Sequence, residues 1–411
     1  MKYLDFSEIF AIFRSFFKNE VFNFENEFSS YIGCKHALGT SYGRTALYLA
    51  LRAINAEGKE VMVPAFTCKA VRDAIILSGA KPIFIDVSPD DFTMDLSDAQ
   101  KKITNQTVAI ILTHYYGYVY PDIRGVRQFS NSHSLFIIED CAHSLGAEHY
   151  NKKVGNFGDI SIFSLTKNTL NLGGGVFCTN NEILFKKAKG ILERSTFYKR
   201  KDFFNMLLYG YETTIDKVIF DRVGKNIFKW WLIFVPGKFA SLILNIFKNK
   251  KNKNNHEKIF YSVKKYQNII NNDLSFTLRM YPVIASVGLI QLNKIERLND
   301  NRIKIAEKLC KKLCNYCIKP VNSGSKNIYT DIVFNFENQN INDLRMKCKS
   351  KGLLLRETWP VFQTYFQDQD TKNIKKIKNS LLLFNINPNL KDYEAITFIK
   401  MIKEFVCKDE N

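Results

Sequence analysis

The chain has 411 residues, 46% of them apolar and 24% charged, and its lysines and arginines outnumber its acidic residues by 59 to 40. That length suffices for two or three domains, and the apolar content excludes disorder as a description of the whole chain. The longest uncharged apolar stretches fall short of the roughly 18 residues of a membrane span, and charged residues interrupt residues 1–18 as they do not in a signal peptide. We therefore expect a soluble, cytoplasmic protein.

The net charge of +19 raises the question of a nucleic-acid partner. Much of the excess lies in lysine-dense segments at residues 248–253 and 347–351, and no recognised nucleic-acid motif accompanies them. The pattern predicts a solvated basic surface, or attraction to phosphate-bearing partners, and no nucleic acid.

The nine cysteines are scattered and odd in number, so we expect reduced thiols. Cys314 and Cys317 have the spacing of half a zinc site, with Cys310 one helical turn earlier, but no second cysteine or histidine pair follows at ligand spacing. The three positions also fall on one stripe of a predicted helix. That pattern favours small apolar residues on a buried face and no bound metal.

Short apolar runs alternate with helical stretches over residues 45–185, after an amphipathic helix predicted at residues 6–17. The predicted strands are residues 60–63, 82–87, 108–112, 135–138 and 160–164, and the first helices are residues 45–53 and 68–77. Strands separated by helices predict a mostly parallel sheet that is buried on both faces. Polar residues cluster where these strands end, the edge at which open α/β sheets place their sites.

The chain as a whole predicts three parts. Residues 1–194 form a large α/β domain, residues 195–275 a mostly helical insertion, and residues 276–411 a linking helix with a smaller α+β domain. In the last part we predict a long helix over residues 282–313, strands over 331–336 and 353–357, and a closing helix over 393–406.

Within the insertion, residues 226–247 are strongly apolar but are interrupted by Lys229, Lys238 and the pair Pro236 and Gly237. A proline inside a helix costs about 3 kcal/mol, so we expect a bent helical hairpin. Its uncharged runs are too short to span a bilayer but can lie at the inner face of a membrane, with the lysines of residues 248–253 on the headgroups. An exposed hairpin of this kind can equally contact a partner. Packing on its own subunit or across a dimer is the alternative to exposure.

The residues with the most chemical content lie at 136–147, 155–168 and 173–175. Asp140 ends an apolar strand, where a buried carboxyl is costly unless it meets a cation or a strong donor. Lys167 lies in a polar turn soon followed by glycines, whose backbone can approach a ligand closely. An aspartate and a lysine in this arrangement match the needs of pyridoxal phosphate (PLP), because the lysine can form the Schiff base and the carboxylate can keep the pyridine nitrogen protonated.

Five segments, in order, resemble the DegT-type (DegT/DnrJ/StrS) nucleotide-sugar aminotransferases, a family of fold-type I PLP enzymes. They are residues 41–47 (SYGRTAL), 63–70 (VPAFTCKA), 79–86 (GAKPIFID), 113–117 (THYYG) and 139–143 (EDCAH), the last followed by 164–168 (SLTKN). The resemblance is strong over residues 25–195 and weak over residues 276–411. It implies a large domain with a mostly parallel sheet and a smaller α+β C-terminal domain.

The resemblance also implies roles for individual residues. Lys167 would form the Schiff base and shuttle a proton, and Asp140 would pair with the pyridinium nitrogen. His143 would lie near the phenolic oxygen of the cofactor, although a structural histidine fits that position equally well. The remaining cofactor contacts would be Gly43, Arg44, Thr45 and Ser164 at the phosphate and Cys68 at the ring face.

Three positions depart from the family pattern. Cys68 stands where the ring-stacking residue is often aromatic, and Arg44 replaces a small polar residue. Thr277 stands where members supply an asparagine across the dimer. Because a guanidinium can grip phosphate through two bonds, we expect Arg44 to offset the donor that is lost at Thr277.

The sequence therefore predicts a homodimeric, PLP-dependent aminotransferase. It would move an amino group, with L-glutamate as the expected donor, to the keto sugar of a nucleotide-sugar in polysaccharide biosynthesis. One alternative keeps the chemistry but acts on a lipid-linked sugar or another ketone at the membrane surface, and another is a non-catalytic binding protein with the same fold. Lys167 and Asp140 together disfavour the non-catalytic protein, and Lys167 disfavours the related sugar dehydratases, in which histidine replaces the lysine.

Overall fold

The computed structural model describes residues 6–15, 17–88, 90–169, 171, 173–195, 279–313, 316–318, 324–336, 341–350, 355–357, 373, 381–388, 390 and 392–406. Met1–Leu192 and Met280–Asn411 together form one compact unit, which contains both the central sheet and the C-terminal sheet. The predicted hairpin at residues 226–247, the basic residues that follow it and Thr277 lie outside the described residues. The three-part division of the chain stays a prediction.

Helices and strands alternate through the first half of the chain. They are α1 (Phe6–Arg14), α2 (Val21–Ile32), β1 (His36–Thr40), α3 (Gly43–Ala53), β2 (Glu60–Pro64), α4 (Lys69–Leu77), β3 (Lys81–Ile85), α5 (Leu96–Lys102), β4 (Thr107–Thr113), α6 (Ile123–Ser132), β5 (Phe136–Asp140), β6 (Glu148–His149), β7 (Lys152–Lys153), β8 (Ile160–Ser164), α7 (Leu165–Asn168), β9 (Gly175–Thr179) and α8 (Glu182–Arg194). The five predicted strands of this region are confirmed as β2, β3, β4, β5 and β8, with small shifts of their bounds.

The central sheet has seven strands in the order β1-β9-β8-β5-β4-β2-β3. Strands β8, β5, β4, β2 and β3 run parallel, while β9 is antiparallel to both of its neighbours. The prediction of a mostly parallel sheet is therefore confirmed. Residues 61–63 and 109–111 are fully buried, the continuous apolar pattern of strands that are covered on both faces.

Strands β1 and β9 were not among the predicted elements. Their sequences are HALGT and GVFCT, and each contains a glycine, which weakens a strand. Apart from the threonines, the only residues of high strand propensity in the two strands are the valine and the phenylalanine of β9. Neighbours in the sheet, rather than local propensity, make these segments extended.

The C-terminal part begins with a long helix, α9 (Pro282–Lys312), and ends in a small layered region. Its other elements are β10 (Ser325–Lys326), β11 (Asp331–Asn335), α10 (Ile341–Ser350), β12 (Leu355–Glu357), β13 (Leu381–Asn385) and α11 (Asp392–Val406). Strands β11, β13 and β12 form an antiparallel sheet in that order. Its apolar core includes Phe334, Leu382 and Phe398, and the C-terminal end of α9 contributes to it. The short run of leucines in β13 was not predicted as a strand because a run of that length fits helix and strand equally.

The predicted helical stripe of cysteines is wrong for Cys317. Helix α9 ends at Lys312, and Cys317 lies beyond it in a β-bridge with Phe334. Cys317 is nonetheless buried in the apolar core of the small sheet, with Cys310 packed against that core. Cys314 lies outside the described residues.

The N-terminal helix is anchored on α9 by a buried carboxylate. Glu8 is 1% exposed, and its Oε1 accepts hydrogen bonds from Gln291 Nε2 and Lys294 Nζ, both at 2.6 Å. Since a buried charge is costly without a partner, these contacts fix α1 in place. Among the described residues, no helix combines the length and the apolar character that crossing a bilayer requires.

Candidate active site

The parallel strands β4, β5 and β8 end side by side at Thr113, Asp140 and Ser164, and a pocket opens at this edge of the sheet. The N-terminal ends of α3 and α4 complete its walls. It is lined by Gly43, Arg44, Leu47, Thr67, Cys68, Ala70, Val71, Thr113, His114, Asp140, Ala142, His143, Ile162, Ser164 and Lys167. Seven of the eight predicted site residues therefore line one pocket.

Thr45 is the predicted site residue that does not line the pocket. Its side chain is buried, with Oγ1 3.0 Å from Ser41 Oγ, and its backbone N–H donates to the carbonyl oxygen of Tyr42 at 3.0 Å. Thr45 thus stabilises the turn into α3.

One end of the pocket has the character of an anion site. Helix α3 begins at Gly43, and its N-cap residue, Tyr42, makes no side-chain bond to the first turn. The N-terminal end of a helix carries a positive partial charge and directs backbone N–H groups outward, so it attracts phosphate. The exposed guanidinium of Arg44 lies 5.0 Å from the centre of the Tyr42 ring, and Ser164 adds a hydroxyl to the same wall.

Two glycines allow the chain to pass close to itself beneath this end. A Cβ at Gly43 would lie 3.0 Å from the Ser164 Cβ. A Cβ at Gly175 would overlap the backbone of Tyr42 and Gly43. Gly175, one of the glycines after Lys167 that the sequence singled out, therefore packs directly against the turn into α3.

Thr67 is a pocket residue that the sequence did not predict. Its Oγ1 is buried and has no hydrogen-bond partner among the described residues. A buried hydroxyl without a partner costs about 1–3 kcal/mol, so a ligand with an acceptor is expected here. Its position next to Cys68, inside the 63–70 segment, was the available signal.

Asp140 is the last residue of β5 and is 5% exposed. Burial raises its pKa to about 6, although the Ala142 N–H, which donates to Oδ1 at 3.0 Å, and the nearby side chains of His114 and Lys167 act in the opposite direction. Because burial disfavours the charged form of this carboxyl, a cation beside it would stabilise that form. The pocket thus presents an acid that is prepared for a positively charged ligand group.

Glu139, the neighbour of Asp140, is fully buried on the other side of the strand. Its oxygens accept hydrogen bonds from His114 Nε2 at 3.0 Å and from the N–H groups of Gly155, Phe157 and Gly158 at 2.6–2.9 Å. Burial alone would raise the pKa of Glu139, but His114 and these N–H groups outweigh it and lower the pKa. Glu139 therefore ties the end of β5 to the loop before β8.

His114 has a defined tautomer in this network. Its Nδ1 accepts the N–H of Tyr120 at 2.9 Å, so the ring proton lies on Nε2 and points at Glu139. The potential ligand atoms of His114, Glu139 and Cys141 lie within 4.8 Å of one another. Because backbone donors already occupy the Glu139 oxygens, the hydrogen-bond network accounts for this cluster without a metal ion.

Lys167 lies in the short helix α7, directly after β8, with an exposed side chain at the pocket. Burial raises the pKa of both Asp140 and Cys68, and the positive charge of Lys167 acts on each in the opposite direction. Lys167 is therefore close enough to interact electrostatically with both side chains. Burial, the largest effect, keeps the pKa of Cys68 above its usual value. Cys68 therefore faces the pocket as a neutral thiol.

His143 is half-buried in the loop after β5. Its Nδ1 lies 3.3 Å from Thr330 Oγ1, and its ring meets the edge of Tyr116 at 5.7 Å between centroids. The imidazole is thus in contact with the loop that leads into β11. The sequence did not predict this contact.

A comparison with known proteins identifies the family of this chain. Residues 14–219 and 246–402 match the DegT/DnrJ/EryC1/StrS aminotransferase family. The chain belongs to this family. Its resemblance to DegT-type enzymes and its fold-type I architecture, both predicted from the sequence, are confirmed.

Several relatives have names of nucleotide-sugar enzymes. GDP-perosamine synthase of Escherichia coli O157:H7 is 38% identical over 199 residues, which cover 48% of this chain and 54% of the relative. UDP-N-acetyl-3-dehydro-alpha-D-glucosamine 3-aminotransferase of Acidithiobacillus ferrooxidans is 35% identical over 199 residues, which cover 47% of this chain and 52% of the relative. The chain spans about half the length of the curated relatives it matches.

Solved structures of aminotransferases share the fold over almost the whole chain. The aminotransferase TlmJ of Streptoalloteichus hindustanus has a TM-score of 0.75 at 16% identity and covers 99% of this chain and 98% of its own. The aminotransferase PseC of Helicobacter pylori, involved in the biosynthesis of pseudoaminic acid, has a TM-score of 0.73 at 18% identity and covers 98% and 97%. At such identities the likeness concerns the fold alone.

Proposed function

We propose that this family member is a PLP-dependent aminotransferase that converts the keto sugar of a nucleotide-sugar to an amino sugar, with L-glutamate as the amino donor. The observation that carries the proposal is the meeting of Lys167 and Asp140 at one pocket whose other end is the uncapped start of α3. The pocket thus offers an amine, an acid and an anion site in one place.

The residues present fit the proposed cofactor. Asp140, with its raised pKa, suits a ring nitrogen that becomes positively charged. The hydroxyls of Thr67 and Ser164, the first-turn N–H groups of α3 and the Arg44 guanidinium are donors, as a phosphate requires. The donor groups and the acid line the same pocket, which is the arrangement that a phosphorylated pyridine needs.

PLP, when bound, supplies the electron sink that transamination needs. Lys167 would hold the cofactor through Nζ and then carry a proton on the same atom to and from the substrate carbon. Asp140 would keep a proton on the ring nitrogen, and His143 would donate to or accept from the ring oxygen. Arg44 and the N-terminal end of α3 would orient the cofactor by binding its phosphate.

The sugar is proposed by analogy with the relatives. The names of several of them carry GDP, UDP or dTDP, so the feature that these share is a sugar on a nucleoside diphosphate, and the base stays open. A further relative, SpsC of Bacillus subtilis, is named for spore coat polysaccharide biosynthesis, which supports a role in polysaccharide assembly. The net charge of +19 suits a diphosphate substrate.

The proposal is tested by the purified protein with PLP, L-glutamate and a panel of keto sugars on GDP, UDP and dTDP. We expect a visible absorbance band that borohydride bleaches, and 2-oxoglutarate formed in step with one amino sugar. Lys167→Ala should lose both the trappable adduct and turnover, because the described pocket residues include no second lysine. Turnover of a lipid-linked ketone alone would favour the membrane-surface alternative, and full activity of Lys167→Ala would refute the role of Lys167.

Two features of assembly also belong to the proposal. We expect a homodimer, and light scattering at several protein concentrations measures this. We also expect residues 226–253 to contact an anionic membrane, on the strength of their apolar and lysine-rich sequence.

A further inference from the structure

A buried amide links the two segments that carry the predicted catalytic residues. Asn168 ends α7, next to Lys167, and is fully buried. Its Nδ2 donates to the carbonyl oxygen of His143 at 3.0 Å. The turn that holds Lys167 and the loop that holds His143 are therefore connected directly, behind the pocket.

Helix α9 holds the same two segments through a second pair of side chains. Arg302 donates from Nη2 to the carbonyl oxygen of Asn168 and from Nη1 to Asn299 Oδ1, both at 2.7 Å. Asn299 in turn donates from Nδ2 to the carbonyl oxygen of Leu145 at 2.9 Å. One arginine thus spans α7 and the loop after β5.

Burial of the Arg302 guanidinium costs free energy, which indicates that its hydrogen bonds have a role in holding the two segments in place. Arg302 is 2% exposed, and a buried cation is expensive unless its donors are satisfied. The carbonyl of Asn168 lies at the end of a helix, where it has no partner within the helix. A guanidinium presents its N–H groups in a rigid fork, so it fixes the relative position of the two oxygens that it binds.

The loop after β5 packs closely against α9. Gly146 has a φ of +93°, and a Cβ at this position would lie 2.5 Å from Asn299 Nδ2 and 2.6 Å from the Tyr31 hydroxyl. The backbone therefore lies directly against the Asn299 amide. Arg302 and Asn299 consequently set the position of the loop as well as that of α7.

We propose that Arg302 is a positioning residue, which, through Asn299 and Asn168, sets the placement of Lys167 relative to His143. It lies behind the pocket and is not among the residues that line it. The inference rests on the proposed function, because it concerns the reaction at that pocket. An error of about 1 Å in the placement of reacting groups can cost roughly a hundredfold in rate.

The experiment compares Arg302→Met and Arg302→Lys with Gln291→Met. Gln291 is a matched control, because it is also fully buried on α9 but hydrogen-bonds Glu8 of α1, away from the pocket. Amide hydrogen exchange of the cofactor-free protein reports on residues 143–147 and 165–171. The pH titration of the visible band and the separate values of kcat and KM report on the PLP-loaded protein.

We expect Arg302→Met to speed exchange in both segments by about tenfold and to move the titration midpoint by roughly 0.5 pH unit. Its kcat should fall by about ten- to a hundredfold, with KM for the amino donor within about twofold. Arg302→Lys should show smaller changes in the same direction, since an ammonium cannot reproduce the fork. Gln291→Met should change exchange in α1 and leave the midpoint and both segments unchanged.

The outcomes separate this inference from the proposed function. Unchanged exchange in both segments and an unchanged midpoint in the arginine variants would overturn it, and so would equal effects of Gln291→Met. If Arg302→Met does not fold, Arg302→Lys decides by the same readouts. If the unaltered protein forms no borohydride-sensitive band, the proposed function fails, and exchange in the cofactor-free variants still shows whether Arg302 holds the two segments.

Discussion

Glu139 and Asp140 are neighbours in the sequence, yet their carboxyl groups have opposite electrostatic surroundings. Successive residues of a strand point to opposite faces of the sheet, so one carboxyl enters a network of N–H donors and the other faces the pocket. The pKa of Glu139 is lowered, and that of Asp140 is raised to about 6. At the residue scale, the strand thus separates a structural acid from one that is prepared for a ligand.

The raised pKa of Asp140 makes the stability of the cofactor-free protein depend on pH. A carboxyl that binds its proton more tightly in the folded state favours folding at low pH, and that advantage is lost as the pH rises from its ordinary value near 4 through about 6. Asp140→Asn removes this penalty. The substitution should therefore raise the free energy of unfolding of the cofactor-free protein more at pH 8 than at pH 4, by on the order of 3 kcal/mol. Urea unfolding of both proteins at the two pH values measures this difference. An equal effect of the substitution at pH 4 and pH 8 would contradict the raised pKa.

The same substitution should separate folding from catalysis. Asp140→Asn is expected to bind PLP but to lose most turnover, because a neutral amide cannot keep the ring nitrogen protonated. Steady-state kinetics at saturating PLP measure the loss. A decrease of less than about tenfold, or 1.4 kcal/mol, would exclude the role proposed for Asp140.

Arg44 is expected to act on cofactor affinity rather than on chemistry. Charge-assisted hydrogen bonds contribute about 1.5–3 kcal/mol, so Arg44→Thr should raise the Kd for PLP by about tenfold or more while the turnover of saturated enzyme changes little. Arg52→Thr, at the other end of α3, removes the same charge and is the control. Fluorescence titration with PLP compares the three proteins, and equal affinities for all of them would reduce Arg44 to a solvated surface residue.

At the scale of elements, β9 determines how the start of α3 meets the pocket. It is inserted antiparallel between β1 and β8, and its first residue, Gly175, lies beneath the turn at Tyr42 and Gly43. The ends of β8 and β1 are thereby brought together, so Ser164 and the first turn of α3 share one wall. Gly175 thus affects the pocket by allowing the backbone of Tyr42 and Gly43 to pack closely against β9.

Gly175→Ala tests this contact between elements. The added methyl overlaps the backbone of Tyr42 and Gly43, so the substitution should destabilise the protein by about 1–3 kcal/mol and weaken PLP binding. Gly39→Ala, on the adjacent strand β1, meets the flexible side chain of Met280 instead and should affect PLP binding much less. Thermal unfolding and the Kd for PLP measure the two effects. Equal PLP affinity in the two variants would show that β9 does not determine the phosphate end.

At the scale of the whole molecule, the basic charge and the apolar residues 226–247 predict binding to anionic membranes. Flotation with vesicles that contain anionic lipid should carry the intact protein upward at low salt, and neutral vesicles should not. A deletion of residues 226–253 that still forms the PLP band should no longer float. Failure of the intact protein to float would leave packing within the subunit or the dimer as the role of this segment.

Much of the fold and the chemical core of the site could be predicted from the sequence alone. Apolar periodicity located the long helix α9 and the five parallel strands, because both patterns are local and repeat over several residues. Asp140 and Lys167 were recognisable because each lies beside a distinctive local pattern, a strand end and a glycine-rich turn. These features depend on neighbouring residues in the chain, and one sequence contains all of that information.

Only the tertiary structure decided what depends on partners that are distant in the chain. Strands β1 and β9 pair with each other across 135 or more residues. The buried hydroxyl of Thr67 lines the pocket without a partner among the described residues. The contact of Arg302 with the carbonyl of Asn168 joins residues 134 positions apart. Pairing across such distances follows from packing, since no local pattern distinguishes a buried arginine of α9 from a solvated one before the chain is folded.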